Sequence, residues 1–164
     1  MIVTKVVDLG VANLCLAAAG DNHTEVFSNS GDGASFQFTY FVSGNAFTKN
    51  SNDEVVPLQG GQLIDFEDRM GMPFTGWTEQ NPAVWVSVCP KPYTKRFDYQ
   101  IVRGGESTSI IGDDKERVLV AIVGSIEANG KTITEHKFAR INDGQQVSVV
   151  VPEGSVAVVL TTRT

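Results

Sequence analysis

Turn signals interrupt this 164-residue chain so often that no stretch is left for a long helix. Gly20-Asp21-Asn22, Ser30-Gly31-Asp32-Gly33, Gly60-Gly61, Gly112-Asp113-Asp114, Asn129-Gly130, Asp143-Gly144 and Glu153-Gly154 each break the pattern. Gly, Asn and Asp serve here because they tolerate the backbone angles a tight reversal needs. The runs between them are rich in Val, Ile, Thr and Phe, side chains that suit a pleated, half-buried surface. Strands are expected at 2–7, 12–18, 24–28, 35–43, 54–58, 62–67, 83–89, 97–103, 107–111, 117–123, 132–139, 146–151 and 155–162. So many short strands predict an all-β sandwich or barrel.

Two local readings sharpen that picture. Asn129-Gly130 is the best hairpin signal, because both residues accept the positive φ of a two-residue turn. Segment 11–20 (Val-Ala-Asn-Leu-Cys-Leu-Ala-Ala-Ala-Gly) is the one place where a helix is the alternative to a strand. The two halves also carry a similar order of signals: strand, glycine turn, strand, Gly-Gln turn, closing strand. Gly61-Gln62 and Gly144-Gln145 mark the corresponding turns. Two related lobes are therefore expected, at 1–90 and 97–164, joined by a linker at 91–96; packing as one domain is the alternative.

Charge and composition exclude several function classes. The net charge is −6, and it is unevenly placed. Residues 1–90 hold three basic and ten acidic side chains, whereas residues 91–164 hold ten basic and nine acidic. Phosphate recognition needs a concentrated basic face, so nucleic acid is not an expected partner. No apolar run approaches the ~20 residues of a membrane helix, so no membrane partner is expected. Met1-Ile2-Val3-Thr4-Lys5 leads straight into a strand-like run without a leader pattern, which predicts a cytoplasmic location. Cys15 and Cys89 each sit in an apolar run and are read as small core residues rather than a disulfide.

Residues 98–162 resemble the core of the cupin family. Gly105 leads to Ile111 and Asp113 at the positions where the family's first motif has two histidines, followed by Glu116 and Gly124. Gly144, then Pro152-Glu153-Gly154, match the second motif, with Ala157 where its histidine would stand. The resemblance implies a jelly-roll or cupin-like sandwich or barrel whose turn skeleton survives without the metal-binding histidines. No metal or other cofactor is expected.

Other catalytic constellations are weak. His23 and His136 lie in different halves and polar contexts, and are read as unligated surface residues. Asp21-Asn22 and Ser30-Gly31-Asp32-Gly33 lack the spacing of a calcium loop and are read as turns. There is no G-x-S-x-G elbow, and the Gly-Gly pairs at 60–61 and 104–105 lack the lysine of a phosphate cradle. The acidic runs at 65–68 and 113–114 are read as solvated turns.

Contact residues are more visible than catalytic ones. Segment 69–82 lacks strand alternation yet carries Met70, Met72, Phe74 and Trp77, the residue types that concentrate interface energy. Tyr93, Lys95 and Arg96 form a second candidate contact in the linker, able to meet an acidic neighbour. These features predict a non-enzymatic assembly protein: a homo-oligomer with protein partners, such as a phage capsid decoration protein on a virion shell. Virion is the matching location, after synthesis in the host cytoplasm. The alternatives are a cupin-like module for a small molecule or sugar and a metal-independent isomerase or epimerase.

Overall fold

A computed structural model describes residues 1–31 and 34–163. The chain divides into two compact units, 1–94 and 95–164. Among the described residues the only helical element is one 3₁₀ turn, Glu67–Arg69; the regular structure is otherwise antiparallel strand.

Unit 1 contains β1 (Ile2–Asp8), β2 (Ala12–Ala19), β3 (Thr24–Phe27), β4 (Phe38–Lys49), β5 (Val55–Gln59), β6 (Leu63–Asp65), β7 (Phe74–Trp77) and β8 (Ala83–Pro90). They form one sheet in the order β1-β2-β8-β4-β7-β3, with β5 and β6 also paired to β4. The sheet curls because β4 changes partners along its length. Residues 38–44 pair with β6 and β8, and residues 45–49 pair with β5 and β7. The change falls at a bulge between Phe41 and Ser43, followed by Gly44 at φ +85°. A bulge bends its strand, and a residue with a Cβ is strained at that φ. A Cβ on Gly44 would also overlap the Pro82 carbonyl oxygen, so the corner demands glycine.

The alanine-rich segment 11–20 is strand. β2 is hydrogen-bonded to β1 on one side and β8 on the other, and this pairing overrides the helix preference of alanine. Small residues are useful there, because Ala17 and Ala19 pack against the bulky apolar cluster inside the curl.

Unit 2 contains β9 (Phe97–Arg103), β10 (Ser107–Ile111), β11 (Arg117–Val123), β12 (Ile126–Ala128), β13 (Lys131–Ile133), β14 (Phe138–Ile141), β15 (Gln146–Val150) and β16 (Val156–Thr162). Two four-stranded sheets, β10-β15-β12-β13 and β14-β11-β16-β9, enclose an aliphatic core. Alternation along β15 buries Val147 and Val149 and exposes the residues between them. The hairpin β12–β13 turns at Asn129-Gly130, both at positive φ, as expected. Gly105, Gly124, Gly144 and Gly154, the glycines of the cupin-like turn skeleton, also all have positive φ.

Three strand expectations need correction. Segment 69–82 is not a plain loop: it contains β7, held between β3 and β4, and a four-residue strand is too short to show alternation. β4 runs on to Lys49 because the bulge and Gly44 bend the strand without ending it. The run 132–139 is split by a turn in which Lys137 N–H donates to the Thr134 carbonyl and His136 takes φ +66°, so β13 and β14 are separate strands. A further strand, β12, precedes the hairpin.

Candidate functional site

Aromatic side chains from four segments of unit 1 meet inside the curled sheet. Phe74 stacks on Phe27 and Phe66, with ring centroids 5.1 and 5.3 Å apart. Phe36 presents its edge or face to all three, at 5.2–5.8 Å. Arg69 lies over Phe66 and Phe74 and donates from Nη1 to Thr48 Oγ1 at 3.0 Å. The space left among these groups is about 40 Å³. For comparison, an engineered apolar cavity that takes benzene measures about 150 Å³. The centre of the curl is therefore packed, not a ligand chamber.

A larger recess of about 360 Å³ lies where β1, β2 and β8 approach β3. Phe27, Phe36 and Trp85 border both this recess and the packed centre. Ser87, Asn29 and Glu25 supply polar groups in its wall. Ser87 Oγ is 2.8 Å from Thr39 Oγ in the buried sheet. Asn29 is nearly fully buried, donates from Nδ2 to the Arg69 carbonyl and accepts the Phe36 N–H, which fixes the chain entering the recess. Cys15 and Cys89 also line the recess, with their sulfurs 3.6 Å apart.

The contact residues read from the sequence fall into different environments. Phe74 and Trp77 are half-buried on β7, Phe74 inside the ring cluster and Trp77 stacked on Phe47 at 5.9 Å. Met70 is half-buried after the 3₁₀ turn, while Met72 is 53% exposed. Tyr93 is exposed, and Lys95 and Arg96 are half-buried. The Arg96 carbonyl accepts the Arg163 N–H at 2.9 Å, and Lys91 pairs with Asp8 at 2.8 Å. The structure thus brings Phe74 and Trp77 to the wall of one packed cavity but leaves Met72 on the surface. Part of the turn 30–33 read against a calcium loop, Asp32 and Gly33, lies outside the described residues.

Sequence reasoning missed the recess because its residues are scattered over 89 positions. The phenylalanines at 27, 36 and 66 gave no local pattern, and the cysteines are 74 residues apart. The available signal was two cysteines on two expected strands, 12–18 and 83–89, whose pairing and register only the structure gives.

No family model and no curated protein matches the sequence. Solved structures do match. HutD from Pseudomonas fluorescens SBW25 has a TM-score of 0.63 at 13% identity, over 93% of this chain and 80% of that one. The pirin YhhW from Escherichia coli, in a complex with nickel(II), gives 0.58 at 12% identity over 92% and 80%. A cupin 2 conserved barrel domain protein from Leptotrichia buccalis gives 0.51 at 8% identity over 99% and 91%. The fold is cupin-like.

A cupin-like fold raises the question of a metal, and the side chains here do not fit one. Ile111 is 65% exposed, and Asp113 is ion-paired with Arg117 at 2.8 Å on the surface. Glu116 is exposed, whereas Ala157 is buried in the aliphatic core. The four positions that correspond to cupin ligands therefore share no common environment. His23 and His136 fall in different units. Among the described residues no three His, Cys, Asp or Glu side chains converge as a metal site would require. The Arg117 guanidinium and the Lys115 N–H instead hold the Asp113 carboxyl down at about 2.

Proposed function

We propose that this protein is a non-enzymatic binding module that holds a small, mainly apolar molecule in the recess of unit 1. The observation that carries this reading is the recess itself: about 360 Å³, with aromatic walls and a few polar groups. That combination of size and lining is typical of small-ligand sites, where apolar area supplies affinity and a few hydrogen bonds fix orientation. Glu25, a third exposed, is the polar group accessible to a ligand, whereas Ser87 and Asn29 are held in hydrogen bonds within the fold; Phe27, Phe36 and Trp85 supply the apolar wall. The test is titration of purified protein with a panel of small sugars, aromatic acids and aliphatic acids, followed by tryptophan emission and thermal unfolding. A ligand at 100 times its Kd raises unfolding stability by about 2.7 kcal/mol. A panel that shifts neither signal refutes the reading.

A second reading, a homo-oligomeric assembly protein such as a virion component, is favoured by β1. This strand ends the sheet order of unit 1 and exposes Ile2, Val3 and Val6 at 70, 49 and 54%. An apolar edge strand offers unpaired backbone groups to another chain. Val6→Lys is expected to convert an oligomer to monomer in light scattering; an unchanged mass argues against β1 as the contact.

A further inference from the structure

Cys15 and Cys89 are placed for chemistry that packing alone does not need. In the β2–β8 ladder Asn13 faces Cys89 and Cys15 faces Ser87, so the cysteines stand diagonally on the same face of two adjacent strands. The Cys89 thiol donates to the Cys15 sulfur at 3.6 Å. Cys89 is 1% exposed, while Cys15 is only half-buried, and both line the recess. One sulfur is therefore accessible and the other shielded directly behind it. The hydrogen bond from Cys89 lowers the pKa of Cys15 against the opposing effect of burial. The same bond, together with burial, raises that of Cys89. A thiolate is the nucleophilic form of cysteine, and an accessible thiolate beside a second thiol is the arrangement that passes from sulfenic acid to disulfide.

We propose that Cys15 and Cys89 form an oxidisable thiol pair, in which Cys15 attacks a small hydroperoxide entering the recess and Cys89 closes a disulfide. In the first step the Cys15 sulfur takes the terminal oxygen of the hydroperoxide, the O–O bond breaks, and the remainder leaves as alcohol, or as water from hydrogen peroxide. Cys15 is then a sulfenic acid. In the second step the Cys89 sulfur attacks that sulfur, the S–O bond breaks, and the hydroxyl leaves as water with the Cys89 proton. The two thiols lose two electrons and the peroxide gains them. The sulfurs must close from 3.6 Å to about 2.05 Å, and because diagonal neighbours have Cα atoms about 7–8 Å apart, β2 and β8 must shift toward each other as the bond forms. Cys89 needs no solvent access, because its target is its neighbour. This inference rests on the two sulfurs and not on occupancy of the recess by a ligand.

The experiment is treatment of the full chain with hydrogen peroxide, read by intact mass, thiol titration and peptide mapping. Loss of both titratable thiols, a mass lower by two hydrogens, and a peptide joining Cys15 to Cys89 within one chain are expected. Cys89→Ser is expected to stop the reaction at the sulfenic acid, trapped by dimedone on Cys15, and Cys15→Ser to leave Cys89 unreacted at the same dose. Alkylation of Cys15 is expected to titrate below the ordinary thiol range and to move up in Cys89→Ala, which removes the donor. Two thiols that stay titratable, a disulfide formed only between chains, or sulfenic acid on Cys89 would each overturn the proposal. The wild-type mass measurement decides even where a variant fails to fold. Ligand titration is a separate readout, so the binding reading and the thiol pair can fail independently.

Discussion

Replacing Phe66 by alanine tests whether the curl of unit 1 is held open by its rings or collapses around them. Phe66 is 3% exposed and is in ring contact with Phe36 and Phe74. Loss of a fully buried aromatic forfeits about 1.5–3 kcal/mol of transfer free energy. A cavity term adds to this, at roughly 24 cal/mol per Å³ left unfilled. The walls are strands hydrogen-bonded to β4, and a small void is already present, so relaxation should be incomplete. If about 80 Å³ stays empty, the cavity adds ~2 kcal/mol and the total reaches about 3.5–5 kcal/mol. With a urea slope of about 2 kcal/mol/M, the unfolding midpoint should fall by about 2 M. Tryptophan emission is the right probe, since the chain's two tryptophans, Trp77 and Trp85, both border this cavity. Phe66→Leu, which keeps most of the volume, should cost less than about 1.5 kcal/mol. A midpoint drop under about 0.7 M with an unchanged slope would refute the picture of a rigid, ring-filled curl.

Two further outcomes follow from the geometry. Gly44→Ala should abolish soluble expression or cost more than about 3 kcal/mol by urea titration, because a left-handed φ and an overlap with Pro82 act together; Gly130→Ala, in open space, should cost about 1 kcal/mol. Asp113, held at about 2, has a folded pKa below its unfolded value of about 3.9, so its contribution is present above the unfolded value and lost as pH falls through the folded one. An NMR titration should therefore place its midpoint near 2, and Arg117→Gln should move it upward. The stability difference between Arg117→Gln and wild type should be present at neutral pH, shrink as pH falls toward about 2 and vanish below it. An unmoved midpoint in that variant would remove Arg117 as the cause.

How much was legible depended on whether the signal was local. A tight turn is decided by a few consecutive residues, so Asn129-Gly130 and the glycines at 105, 124, 144 and 154 could be read directly, and all adopt positive φ. Runs of Val, Ile, Thr and Phe bounded by turn signals likewise marked most strands, and β15 alternates between core and surface. β7 could not be read, because four residues carry no usable period and its existence depends on partners 24–27 and 47–48. The alanines of β2 were ambiguous for the same reason: pairing on both edges, not propensity, settles them.

By itself the sequence determined an all-β, cupin-like chain without the histidines of a metal centre, since turn chemistry and residue inventory are properties of short windows and of composition. Only the tertiary structure decided that four aromatic segments fill one curl, that the positions corresponding to metal ligands scatter between surface and core, and that two cysteines 74 residues apart share one hydrogen bond. Strand register is the physical reason. It is set by which strands pair over the whole sheet, and a shift of one residue would turn Cys15 and Cys89 to opposite faces.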